Sequence, residues 1–308
     1  MFRYIVRRLL QMVLTFFGAT FVVFALMFAN QDDPLQALAG ERPITESQRI
    51  ALTERYHLDD PFLTQYWYYM KGLLTGDFGT SLNGRKIADL LEAAWPITLR
   101  LALMAVVIAA IIAIGAGVFS AIRRGGAFDN VTLVVTLVLL SMPIVVIAPL
   151  AQLLFGIQLG WFPPTANAKA TFYQLLLPAM VLASSVLATQ LRVTRTSVAE
   201  NLRADYVRTA RAKGLSGRRV ISVHVLRNSL IPVVTLIGVD LGNLMSGAIV
   251  TEGVFNIPGV GFNLARGIRS EDGPLVVGFV SALVIVFLVV NLLVDLLYAA
   301  LDPRIRYE

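Results

Sequence analysis

The chain has 308 residues, is 56% hydrophobic and only 15% charged, and has a mean hydropathy of +0.71. This composition places it in a bilayer and excludes an ordinary soluble fold, whose balance is roughly half apolar and a quarter charged. It carries no cysteine, which excludes disulfides, thiolate metal sites and thiol nucleophiles; its net charge of +6 suits nucleic acid or the basic loops of a membrane protein equally, so the positions of the charges decide.

Stretches poor in charge and long enough to cross about 30 Å of hydrocarbon fall at 9–29, 101–120, 131–157, 172–191, 229–251 and 275–301. They predict an all-α integral membrane fold with six transmembrane helices. Arg3, Arg7 and Arg8 precede the first stretch, as they would in a secretory signal peptide. Its apolar core is too long for one, however, and the nearest small-x-small site, Ala37-Leu38-Ala39, lies too far downstream, so an uncleaved anchor is expected.

Residues 30–96, with ten acidic and six basic side chains, form the one sizeable segment expected on the outer side and read as helical. Thr45 with Gln48 three residues on is a capping-box arrangement. A second helix start follows at Asp60-Pro61, where Asp can cap and Pro suits the first helical position. Phe62, Tyr66, Tyr69 and Leu73 then share one face. Such an aromatic stripe packs against its own protein or sits in the interfacial belt, and docking of an external binding protein is the sharper alternative.

Prolines 143 and 149 in the third span, 178 in the fourth and 232 in the fifth predict bent or broken helices, tolerated in a bilayer where neighbours or a wet cavity satisfy the freed backbone groups. Between spans four and five, residues 192–228 carry nine basic and two acidic side chains. Leu202, Tyr206 and Ala210 recur at i+4 as a short apolar and small-residue face ending at Gly214, a natural helix C-cap. Ser216 then starts a second segment with Arg218, Arg219 and His224. The loop reads as helix, tight turn, helix, suited to a cleft on a soluble partner or to lying on the membrane surface. No nucleic-acid recognition fold fits it, and none is expected as a partner.

Asp240 and Asp295 are the acidic residues inside the predicted spans, at about 2.5–3.5 kcal/mol each on insertion scales. Asp295, near the end of span six, suits a structural contact with Arg304 or a headgroup. Asp240 lies mid-span beside Gly238, Gly242 and Gly247 and is a candidate for lining a translocation path. With the N-terminus inside, sixteen Lys and Arg fall on the inner side and nine on the outer, six of those nine in 30–96, so both termini are expected in the cytoplasm.

His57 and His224 fall on opposite sides of this topology, which leaves no His–His metal pair. Gly-x-Ser-x-Gly is absent, and so is a Gly-x-x-x-x-Gly-Lys-Ser/Thr loop, so an ATP site of that kind must come from a partner.

The run Tyr-Val-Arg-Thr-Ala-Arg-Ala-Lys-Gly over 206–214 and its continuation to Pro232 closely resemble the coupling loop of peptide permeases in the ABC importer family. The resemblance continues at Gly76-Asp77-Phe78-Gly79-Thr80-Ser81, Ser141-Met142-Pro143, Leu159-Gly160-Trp161-Phe162-Pro163, Glu252 through Gly261, and Asp295 through Arg304. The long segment after span one looks like the B-type subunit of dipeptide and oligopeptide importers. Ala210 and Gly214 match the family's loop pattern, whereas Arg208 and Thr209 stand where the wider family has Glu and Ala, a departure usual in the peptide branch.

The resemblance implies the type I importer fold, divided as residues 1–29 (tip and first span), 30–96, a transmembrane domain 97–302 and a tail 303–308. It further implies a bacterial inner-membrane subunit that is no enzyme itself. A sister permease would complete the pathway, ATPase subunits holding ATP and Mg²⁺ would bind the coupling loop, and an external protein would deliver peptide, with lipid around the spans. Leu202, Tyr206, Ala210, Arg211, Lys213, Gly214 and Leu215 are the expected coupling residues, and Asp240, Gly242 and Glu252 the candidate path residues. A nickel-importing permease of the same family, and more distantly a secondary transporter or channel, are the alternatives.

Overall fold

The computed structural model of the chain describes residues 2–28, 45–57 and 59–301. Residues 29–44 and 302–308, the tail among them, therefore lie outside the described residues. Among those described, the regular elements are helices: α1 (Phe2–Phe28), α2 (Glu46–Tyr56), α3 (Phe62–Leu74), α4 (Ile87–Ile122), α5 (Ala127–Ser141), α6 (Ile144–Ala151) with π-helical turns at Gln152–Gln158, α7 (Phe172–Asn201), α8 (Asp205–Ala212), a turn at Gly217–Arg219 with π-helical turns at Val220–Val225, α9 (Leu226–Val254), α10 (Val260–Arg269) and α11 (Gly273–Leu301). Five stretches are long and apolar enough to cross a membrane, and the bent pair α5–α6, counted as one span, makes a sixth.

The third span carries the break expected of its prolines. Its two halves, Ala127–Ser141 and Ile144–Gln158, meet at 105°. Met142 is extended (φ −100°, ψ 118°) because Pro143 disfavours the helical conformation in the residue before it, and Pro143 then heads the next helix. Pro149, Pro178 and Pro232, by contrast, sit inside continuous helices, as does Pro96 in α4. Of the prolines expected to interrupt spans, Pro143 alone marks a break between helices.

The described residues divide into two compact units, one drawn from Met1–Thr98 and Pro258–Glu308, the other from Leu99–Ile257. The boundary falls within α4, after Thr98.

In the first unit, α2 opens after Thr45, whose carbonyl accepts the Arg49 amide at 2.9 Å; the side chain of Gln48 lies outside the described residues. Pro61 is the N-cap of α3 rather than its first residue, and the Asp60 carbonyl instead accepts Gln65 Nε2 at 2.8 Å. The aromatic face of α3 packs on α1: Phe24 meets Phe62, Tyr66 and Tyr69 at ring distances of 5.5, 5.6 and 5.3 Å, and Tyr66 Oη lies 3.0 Å from Thr20 Oγ1. Tyr69 also hydrogen-bonds Ser281 on α11. Asp272 caps α11, accepting the Leu275 amide at 3.1 Å, and also accepts bonds from the Ser81 hydroxyl and the Leu82 amide.

The second unit is organised around α7 and α9, which flank the hairpin described below. Ser197 and Ser229 bridge these helices reciprocally, each hydroxyl donating to the other's carbonyl at 3.0 and 3.3 Å. Gln152 holds the far end of the unit together, its amide nitrogen donating to the carbonyls of Pro164 (2.7 Å) and Val254 (2.9 Å).

Candidate functional site

The hairpin between α7 and α9 forms because two local signals interrupt what would otherwise be one long helix. First, α7 does not end with the apolar span but runs on to Asn201, and the chain breaks over Leu202–Ala204, where Ala204 turns extended (φ −66°, ψ 150°). Second, α8 ends in a Schellman motif: Gly214 takes φ +75°, its amide bonds the Arg211 carbonyl at 3.0 Å, and the Leu215 amide bonds the Ala210 carbonyl at 3.3 Å. Glycine adopts that left-handed conformation at no steric cost. Ser216 begins the return segment through its carbonyl, which accepts the Val220 amide at 2.9 Å; its side chain makes no capping bond.

Of the expected i+4 face, Ala210 and Leu202 pack inward and Tyr206 does not. Val207 and Ala210, three residues apart, are buried in a core with Ala121, Val198, Val220 and Val225, and Leu202 and Leu215 pack on its edge. Tyr206 instead points outward at 38% exposure and donates to Asn201 Oδ1. The small-residue face thus seats the hairpin on its own protein, and what it offers outward is polar: Tyr206, Thr209, Arg211 and Lys213, with Arg208 paired to Asp205 at 3.6 Å. Val207 was missed by the sequence reading, although an i, i+3 pairing of Val207 with Ala210 leading to Leu215 is its visible signal.

Just above that core, Asp129 in the first turn of α5 receives two parallel bonds from Arg195 on α7, Nε to Oδ1 at 2.6 Å and Nη2 to Oδ2 at 2.8 Å. The Ser120 hydroxyl and the Gly125 amide (2.8 Å) also donate to it. Neither Asp129 nor Arg195 was singled out in the sequence, where both fall just outside the predicted apolar stretches. A carboxylate placed at a helix start next to a Gly-Gly turn is the signal that could have found it.

Asp240 lies buried on α9 and accepts a bond from Gln190 Nε2 of α7 at 2.7 Å, while Gln190 Oε1 has no partner. Gln190 too escaped the sequence reading. Gly242 is buried close by, whereas Glu252, fully buried, stands twelve residues further along α9, about 18 Å away at ~1.5 Å per residue. The three candidate path residues therefore share a helix but not a site. Beside Glu252, the buried hydroxyl of Thr251 has no hydrogen-bond partner. The side chain of Asp295 lies outside the described residues.

Comparison with known proteins places this geometry. Residues 113–307 match the family described as binding-protein-dependent transport system inner membrane component, and residues 1–102 match the N-terminal region of such membrane components. The chain is 36% identical to a dipeptide transport system permease protein of Alkalihalophilus pseudofirmus, 37% to a di/tripeptide permease of Pseudomonas aeruginosa and 36% to a glutathione permease of Escherichia coli, over the full length of both chains in each case. An ATPase and a binding protein are the partners that such membership implies. The chain belongs to the family of binding-protein-dependent transport system inner membrane components, as a multi-pass permease subunit of an ABC importer.

Proposed function

We propose that this subunit imports small peptides, forming half of a translocation pathway with a sister permease and receiving the stroke of a cytoplasmic ATPase through the 202–225 hairpin. The observation that carries the mechanism is the seating of that hairpin. Val207 and Ala210 anchor it in a core shared with α4 and α7, so a force on its exposed Tyr206, Arg211 and Lys213 reaches two spans without deforming α8 first. Gly214 and Leu215 fix the turn. The cargo reading rests on relatives that carry dipeptides, di/tripeptides and glutathione, itself a small peptide, and these names favour peptide over nickel.

In this reading the hairpin and both termini face the cytoplasm, in keeping with the inward excess of Lys and Arg. ATP and Mg²⁺ stay in the partner ATPase, and lipid surrounds the spans. Asp240, Gly242 and Glu252 remain candidate path residues, with Asp240 acting from the interface of α7 and α9 rather than from an open channel wall.

The test is reconstitution of the chain with its sister permease, ATPase and binding protein in vesicles, followed by uptake of labelled dipeptide, tripeptide, glutathione and Ni²⁺. ATP-dependent accumulation of one of the peptides is expected. Accumulation of Ni²⁺ alone, or peptide entry that does not need ATP, would refute the proposal.

A further inference from the structure

Helix α3 is too short to cross a bilayer, yet it is not an ordinary surface helix. Its inner face reaches deep along two spans. Tyr66 and Met70 contact Thr20, which lies eight residues before Phe28, the end of α1. At ~1.5 Å per residue that is about 12 Å down the axis of α1. Tyr69 independently bonds Ser281, eight residues into the stretch that begins at Gly273, or about 12 Å down α11 by the same rise. Side chains of α3 reach these depths, so the helix axis itself stands at the shallower level where headgroups give way to acyl chains.

The flank of α3 next to that face carries Leu63, Trp67 and Leu74, exposed at 69%, 65% and 72%, with Tyr68 half-exposed beyond them. Exposed Phe21 of α1 packs on Phe62 and Tyr66, and the Tyr66 hydroxyl donates to the Phe17 carbonyl, so the exposed apolar surface of α1 adjoins α3. Lys71, exposed near the C-terminal end of α3, can lay its stem along the apolar stripe and hold its ammonium among phosphates. Indole and phenol rings with one apolar and one polar edge favour this same level of the bilayer.

We infer that α3 is an interfacial helix whose Leu63–Trp67–Leu74 face is covered by phospholipid of the leaflet at that end of α1 and α11. The helix lies in the membrane plane, sunk about 5–10 Å into the boundary as amphipathic interfacial helices are, and anchors the segment that follows α1 to the bilayer. The inference rests on depth and surface chemistry and holds whatever the cargo.

The chain has no cysteine, so a single nitroxide label attached through Leu63→Cys, Trp67→Cys or Leu74→Cys reports from this subunit at that position alone. In the assembled complex in phosphatidylcholine vesicles, collision rates with oxygen, which concentrates in lipid, and with a water-soluble nickel chelate are read by electron paramagnetic resonance. A label through Leu14→Cys, on the exposed face of α1, serves as the lipid reference, and one through Asn83→Cys, in the polar turn before α4, as the water reference. The three α3 labels are expected to give oxygen-to-nickel ratios severalfold above position 83 and below position 14. Ratios equal to those at position 83 would place the face in water. Low collision with both reagents would place it under a protein partner. Either result overturns the inference, and three positions on one face keep the test decisive if one variant fails to assemble.

Discussion

Arg195 grips Asp129 through two parallel charge-assisted bonds of 2.6 and 2.8 Å, and the aspartate side chain is almost wholly shut off from solvent while the arginine side chain is 17% exposed. This pair ties the start of α5 to α7 one turn from Val198, which belongs to the core that seats the hairpin. Removing one partner leaves a buried charge uncompensated. Asp129→Ala or Arg195→Ala should therefore cost about 3–5 kcal/mol and lower the melting temperature of the purified complex markedly. Arg195→Lys, which keeps the charge but not the fork, should fall between wild type and alanine. Exchanging the two residues should restore only part of the loss, because an Arg at 129 cannot accept from the Gly125 amide. An unchanged melting temperature in both alanine variants would remove this pair from any mechanical role.

Gly214 is open to a side chain sterically, since a Cβ there would meet nothing within 4 Å, but its φ of +75° penalises one. Gly214→Ala should cost about 1–2 kcal/mol locally, and Gly214→Asn less, because Asn tolerates the left-handed region. If the turn transmits the ATPase stroke, the ratio of peptide taken up to ATP hydrolysed should fall in the order Gly, Asn, Ala, Val at this position while complex yield stays level. The measurement is that ratio in vesicles; an equal ratio for all four would count against the turn.

Asp240→Asn preserves size and the bond from Gln190 while removing the charge. The expected outcome is reduced uptake at normal complex yield. Gln190→Leu, which strips the buried carboxylate of that donor, should instead destabilise by about 1–3 kcal/mol. Comparing transport rate with melting temperature for the two variants separates charge from packing, and wild-type uptake by Asp240→Asn would exclude a path role.

Two glycines in α4 should respond oppositely to alanine. A Cβ at Gly117 would stand 2.7 Å from Thr194 Cβ and 3.0 Å from the Leu191 carbonyl oxygen, where α4 and α7 touch. Gly117→Ala must force the helices apart, at about 1–3 kcal/mol. At Gly115 a Cβ meets nothing within 4 Å, so Gly115→Ala should be neutral or stabilise by up to about 1 kcal/mol through helix propensity. Thermal unfolding of the two variants checks both.

Much of this was legible in order along the chain. Long runs without charge mark spans because a bilayer cannot solvate ionised groups, and Gly214 marks a helix end because few other residues take its backbone conformation. Phe62, Tyr66 and Tyr69 read as one face because α3 is regular throughout. Where regularity failed, so did the reading: a three-residue break after Asn201 parts Leu202 from Tyr206, and within α8 it is Val207, three residues before Ala210, that joins it in the core.

The sequence by itself determined the membrane class, the number of spans, the position of the hairpin and the family, since each rests on local composition or on motifs that survive without coordinates. The tertiary structure decided what those motifs touch. Only packing shows that Gln190 meets Asp240 fifty residues away, that Arg195 closes on Asp129, and that the chain turns through 105° at Pro143 while Pro178 sits inside one helix. A proline's effect, like a buried charge's, depends on whether neighbouring helices supply partners for the groups it leaves, and that is set by contacts between distant parts of the chain.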